Sequence, residues 1–204
     1  MKFYLSSYKI GNETKKLIGM MPKNRKTAYI SNALDEWDSP EKRKQNETDD
    51  IAQLRKIGMR VELLDLRKYF NKKEELRKKL GGFGAVWVSG GNTFVLRQAM
   101  KLSGFDEILK SLMKTDMLYG GYSAGICVLA PSLKGIELVD NPKAKPYKNS
   151  KLLMDGLGIL GYSIVPHYKS DHPESEAMNR EVEYYKRKKI PFKTLRDGDV
   201  IIIH

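Results

Sequence analysis

The sequence predicts an α/β protein built as a three-layer, mostly parallel sheet with helices on both faces. Three observations carry that expectation. Short apolar runs alternate with amphipathic stretches as far as Ser123. The runs are nearly continuous in apolar residues, as strands covered on both faces must be. Two of them close on glycine-rich turns, and a sheet of this kind binds its ligands at the carboxyl ends of its strands.

The elements follow in order. "KFYLSS" is the first strand, "TAYISNA" (Thr27 to Ala33) the second and "RVELLDL" (Arg60 to Leu66) the third. "AVWVSGG" (Ala85 to Gly91) and "MLYGGYS" (Met117 to Ser123) are the fourth and fifth. Between them, Glu41 to Lys56 reads as a helix, with Ile51, Leu54 and Ile57 along one face. Asn71 to Leu80, Asn92 to Leu102 and Phe105 to Met113 are three more helical stretches. Strand–helix–strand units of this kind cross over right-handedly. Leu133 to Ser163 is irregular, and "VDNPKAKPYKNSK" within it reads as a loop. "SIVPHY" (Ser163 to Tyr168) is strand-like, and Pro173 to Lys189 is a helix with proline in its first turn and basic residues at its end. "FKTLRDGDVIIIH" reads as a β-hairpin turning at Asp-Gly. Without repeats or a linker, residues 1–204 are expected to form a single domain. A short C-terminal tail beyond the last strand is also expected.

Composition narrows the function. At 41% apolar residues the chain is an ordinary globular protein. No run reaches the roughly 18 apolar residues a membrane span needs, and the first residues lack a signal-peptide pattern. A cytoplasmic location is expected. Cys127 is the one cysteine, so there is no intramolecular disulfide or cysteine metal cluster; it reads as a small buried hydrophobe. With only His167, His172 and His204 available, no metal or cofactor is expected; the alternative that the spacing leaves is a two-ligand site of His167, His172 and a carboxylate. The net charge of +12 comes from bases interleaved with acids, a solvated surface. Zinc-finger spacing and RNA-binding strand signatures are missing, so nucleic acid is not an expected partner. A monomer or homodimer acting on a small substrate is.

The chemistry lies in the glycine turns. Gly121-Tyr122-Ser123-Ala124-Gly125 fits G-x-S-x-G. A nucleophile on a sharp strand-to-helix turn needs small neighbours, because the backbone there is strained and crowded. The Ala124 N–H, at the new helix's start, then faces a developing oxyanion. Gly90 and Gly91 end the fourth strand and can approach a substrate closely, and Asn92 is a good N-cap for the next helix. Gly91 with Ala124 would complete an oxyanion hole. Serine needs a base, and His167 stands at a strand's carboxyl end like Ser123; His172, in a polar loop, reads as solvated. Either Asp197 in "LRDGD" or Asp140 in "ELVDNP" can orient the histidine, and spacing alone does not choose.

Taken together, "VWVSGGNTFVLRQAM", "LYGGYSAGICVLAP", "IVPHY" and "LRDGDVI" resemble, in order and rough spacing, the serine peptidase family of peptidase E (aspartyl dipeptidase) and cyanophycinase. The resemblance covers nearly the whole chain. It implies a fold like class I glutamine amidotransferases, with serine in place of their cysteine. It implies Ser123 as nucleophile, His167 as base, Gly91 and Ala124 around the oxyanion, and Asp197 as the acid in preference to Asp140. Gly90 and Asn92 then contact substrate, and Arg180 is the residue that would recognise an N-terminal aspartate in an Asp-Xaa dipeptide. The stretch after the nucleophile helix departs from the family: "SLKGIEL" stands there, with only Glu137 and Asp140 nearby. Two rivals stay open. One is an esterase or amidase of the α/β-hydrolase type, whose Ser–acid–His order suits Asp140. The other is a non-catalytic binding protein on the same scaffold.

Overall fold

The computed structural model describes every residue except Asn149. In chain order the elements are β1 (Lys2–Ser6), α1 (Thr14–Met20), β2 (Lys26–Ile30), α2 (Pro40–Lys56), β3 (Arg60–Leu63), α3 (Lys73–Leu80), β4 (Ala85–Val88), α4 (Thr93–Ser103), α5 (Phe105–Ser111), β5 (Leu118–Tyr122), α6 (Ala124–Cys127), β6 (Ser163–Val165), α7 (Ser175–Lys188), β7 (Phe192–Thr194) and β8 (Val200–Ile203). Six strands form one sheet in the order β3-β2-β4-β5-β1-β8. All its neighbours run parallel except β8, which lies antiparallel on β1. The mostly parallel sheet of the sequence reading is thus present.

Alternate residues of a strand face opposite sides, and β4 makes the three layers visible. Val86 and Val88 join a core with Leu76 of α3, Phe94 of α4, Ile108 of α5 and Ile126 of α6. Ala85 and Trp87 join the opposite core, with Leu17 of α1 and Leu54 of α2. Local signals start the helices where expected. Ser39 caps α2 by accepting from the Lys42 N–H, with proline at the first helical turn. Asn92 caps α4 by accepting from the N–H groups of Phe94 (2.8 Å) and Val95 (3.1 Å). Among the described residues, no helix is long and apolar enough to cross a membrane.

Three expectations are corrected. α1 was not anticipated, because "TKKLIGM" buries only Leu17 and Met20, too few positions to show a period. The second and third strands end early, at Ile30 and Leu63, and 3₁₀ turns at Asn32–Leu34 and Leu66–Tyr69 follow. The C-terminal hairpin does not form. An Asp-Gly turn is present, with Gly198 at φ +98° and the Asp199 N–H on the Arg196 carbonyl, but the flanking strands part. β7 pairs in parallel with β6 in a separate two-stranded sheet, and β8 completes the large sheet beside β1. A turn signal fixes a local reversal; it does not fix which partner each strand finds.

Candidate active site

Ser123 is the sharpest local feature. It stands between β5 and α6 with φ 49° and ψ −120°, a conformation that side-chain-bearing residues rarely hold. The elbow is pressed onto the end of β4. A Cβ on Gly121 would come 2.6 Å from the Val88 carbonyl oxygen, and one on Gly125 would collide with the same oxygen. Only glycine on both sides of the serine allows this approach. Gly91, at the end of the neighbouring strand, has φ +129° and lies against the Ala33 carbonyl. Among the described residues, the Gly91 and Ala124 N–H groups reach no protein acceptor. Two bare donors therefore remain at adjacent strand ends.

The histidine and its acid come from the small sheet. Because β6 and β7 are parallel, with Val165 opposite Thr194, the residues just beyond them emerge at the same end. His167 Nδ1 lies 2.7 Å from Asp197 Oδ1. Ser7, one residue past β1, ties this pair to the large sheet. Its hydroxyl accepts from the His167 backbone N–H at 2.8 Å and donates to Asp197 Oδ1 at 2.9 Å. His167 is 1% exposed and, like Ser123, holds a positive φ, 55°. Burial lowers its pKa, and the neighbouring His172 lowers it further, against the opposing pull of Asp197. The imidazole is thereby kept neutral near pH 7. With Nδ1–H given to the carboxylate, Nε2 is left as an acceptor.

Ser123, His167, Gly90, Gly91 and Asn92 line one cleft of about 440 Å³. Asn92 is largely occupied in shaping it: beyond capping α4, its amide donates to Glu36 Oε2 and to the Asn141 carbonyl, both at 3.0 Å. Two expectations fail here. Asp140 also lines the cleft but serves α4, its Oδ2 accepting from the Thr93 N–H at 2.8 Å; Asp197 is the carboxylate at the imidazole. Burial pushes the Asp140 carboxyl up to about 7. Arg180 is not in the cleft. It projects from the exposed face of α7, bonded to Glu176 one helical turn back at 3.2 Å, beside a separate groove. One helical turn decides its direction, and the residues Met178, Val182 and Tyr185 take the buried face of α7 instead.

His172 was misread as a solvated loop residue. Its ring stacks on His167 at 3.7 Å between centroids and 8° between planes. Glu174 follows, its Oε2 4.0 Å from both His167 Nε2 and His172 Nδ1. These three groups are close enough to suggest a metal. The stacking argues otherwise, because an ion about 2.0 Å from one nitrogen in its own ring plane lies far out of the other plane. No spacing rule marks Glu174 or Glu36 in the sequence, and none marks His172 as a ring stacked on His167. Ser7 does carry a signal: it ends an apolar strand that lies beside β5, at the end where ligands bind.

The chain is similar to several known proteins. An uncharacterised peptidase of Listeria monocytogenes, Lmo0363, is 30% identical over 132 residues, which are 65% of this chain and 62% of that protein. Peptidase E of Streptomyces coelicolor is 33% identical over 119 residues, 56% of this chain and 46% of that protein. The matched stretches thus span less than two thirds of either relative. A crystal structure of a peptidase E candidate from Listeria monocytogenes EGD-e superposes with a TM-score of 0.78 at 23% identity, covering 99% of this chain and 93% of that one. A second, of a peptidase from an acI-B1 actinobacterium, gives 0.70 at 12% identity, covering 100% and 83%. Those two likenesses establish the fold. Residues 9–204 match the model of peptidase family S51, and the chain belongs to that family.

Proposed function

We propose that the protein is a serine-type peptidase that cleaves small peptides through an acyl-enzyme. Ser123 Oγ attacks the scissile carbonyl carbon while His167 Nε2 takes its proton. The N–H groups of Gly91 and Ala124 hold the oxyanion, and His167 returns the proton to the leaving amine. A water, deprotonated by the same imidazole, then attacks the acyl-enzyme ester and releases Ser123. Asp197 holds the imidazole in the tautomer with Nδ1–H and stabilises the imidazolium that forms. The observation that carries this reading is the φ 49°, ψ −120° backbone of Ser123 in the same cleft as the buried His167–Asp197 pair. Membership of the family supports it.

The test is covalent labelling by a fluorophosphonate probe together with hydrolysis of a dipeptide library. Labelling at Ser123 is expected, and Ser123→Ala should cost on the order of 10⁴-fold or more in kcat. Unchanged hydrolysis in that variant, or labelling elsewhere, would rule the mechanism out. Asp-Xaa dipeptides, the substrates the family resemblance suggests, belong in the first panel. Their recognition has lost its expected arginine, since Arg180 faces solvent.

A further inference from the structure

The charge of the cleft is opposite to that of the molecule. The chain carries +12, yet the described residues lining the cleft include the carboxyl groups of Glu36, Asp140 and Glu174, the first two raised in pKa by burial, and neither lysine nor arginine. Glu36 and Asp140 flank the turn that carries Gly91: Glu36 Oε2 accepts from Asn92, and Asp140 Oδ2 from the Thr93 N–H. Each spends one oxygen on that turn. Glu174 stands across the cleft beside the imidazole of His167. Trp37, 39% exposed, lines the cleft with Tyr8, and aromatic rings attract cations. Of the bases on the adjoining segments two are committed, while Lys42 lines the neighbouring groove with Trp37 and Tyr8. Lys9, at the neighbouring groove, gives its ammonium to Asp50 at 2.6 Å, and Arg43 is paired with Asp35 and Glu47.

We propose that this cleft selects substrates with a positive charge next to the scissile bond, an ammonium or guanidinium held by Glu36, Asp140 and Glu174 against Trp37, in place of an N-terminal aspartate. The inference rests on the reading of the cleft as a peptidase site. An aspartyl side chain entering here meets carboxyl groups and neither lysine nor arginine in the cleft wall, which costs binding directly. A cation meets opposite charges inside a partly water-excluded wall, where attraction is stronger than in bulk water.

Two comparisons locate the charge. Lys-Ala and Arg-Ala against Leu-Ala test a basic side chain. Leu-Ala against N-acetyl-Leu-Ala tests the α-ammonium. At least one charge is expected to raise kcat/KM by about tenfold or more, with Asp-Ala below Leu-Ala. The arm that responds names the source of the charge. In Glu36→Gln/Asp140→Asn the advantage of the charged substrate should fall toward unity; both amides keep the oxygen that accepts from the turn. Preference for Asp-Ala, a flat response in both arms, or an unaltered ratio in the double variant would overturn the proposal. The same peptides are titrated calorimetrically into Ser123→Ala. Charge-selective binding there, with no hydrolysis by the native enzyme, upholds the charge inference while the peptidase reading fails; charge-blind binding sinks the inference alone.

Discussion

The large sheet and the small one contribute to the same cleft in different ways. The large sheet supplies Ser123 and the bare N–H groups through local chain geometry, since the elbow residues are consecutive and their glycines sit on one carbonyl, that of Val88. The small sheet supplies His167 and Asp197, 30 residues apart in the chain, through a parallel pairing of only three residues a side. The nucleophile is therefore fixed by sequence neighbours, and the acid–base pair by tertiary partners. Damage to the pair is expected to be graded by how many of those partners are lost, whereas the elbow tolerates little.

The sharpest way to break the contrast is Asp197→Asn. The amide keeps the shape and the contact with Ser7, but it favours the wrong imidazole tautomer. A loss of about 10⁴-fold in kcat is expected if the acid acts as in other Ser–His–Asp triads, with KM little changed and fluorophosphonate labelling slowed in parallel. Retention of more than a tenth of the activity would mean that the carboxylate only packs, and the two regions would then differ less than their geometry implies.

Ser7 is the joint between the regions, and its removal should give a smaller loss. Ser7→Ala leaves the buried His167 N–H without its acceptor, a cost of about 1–3 kcal/mol. It also removes one donor from Asp197. We expect kcat/KM to fall about tenfold at neutral pH. The acid limb of its pH profile should move upward, because a less solvated Asp197 carboxylate holds the imidazolium more strongly. Ser7→Thr keeps the hydroxyl and should restore both. A fall in activity with an unmoved acid limb would reduce Ser7 to a purely structural role.

What the sequence disclosed divides along the same line. The five parallel strands, most of the helices and the elbow were legible because each depends on a short window. Apolar runs mark strands, Asn92 marks the start of α4, and G-x-S-x-G marks the turn. The failures depend on partners. "FKTLRDGDVIIIH" carries a true turn signal, but β8 pairs with β1, its apolar residues half-buried against the two cores, and not with β7. His172 looked solvated because nothing in "SDHPES" announces a ring stacked on His167. Asp197 and Asp140 were indistinguishable by spacing, and the register of β6 on β7 separates them. Arg180 fell on the solvent face of α7 because the buried stripe of that helix is set by Met178, Val182 and Tyr185.

The smallest expected effect sharpens the contrast through stability. α7 covers the small sheet by packing Met178, Val182 and Tyr185 with Val165 of β6, and Glu181 lies buried on the same helix, accepting from the Tyr185 hydroxyl at 2.6 Å. Burial pushes its carboxyl up to about 8, outweighing that hydrogen bond, and the charges of Asp140, Glu137 and Glu174 add to the shift. A carboxyl whose folded pKa exceeds its unfolded one binds more protons folded than unfolded. Its penalty to folding is absent below about pH 4, grows as the pH rises to about 8, and is constant above. Glu181→Gln removes that penalty and keeps an oxygen for Tyr185. The variant should match the native protein at pH 4 and exceed it by a few degrees in Tm at pH 8, about 1–3 kcal/mol. Hydrogen exchange should place the gain in α7 and the β6–β7 pair and leave β4 and β5 unchanged. A gain of equal size at both pH values would show that Glu181 is charged or neutral alike in the folded and unfolded chain. The cleft's two halves would then share one response to pH.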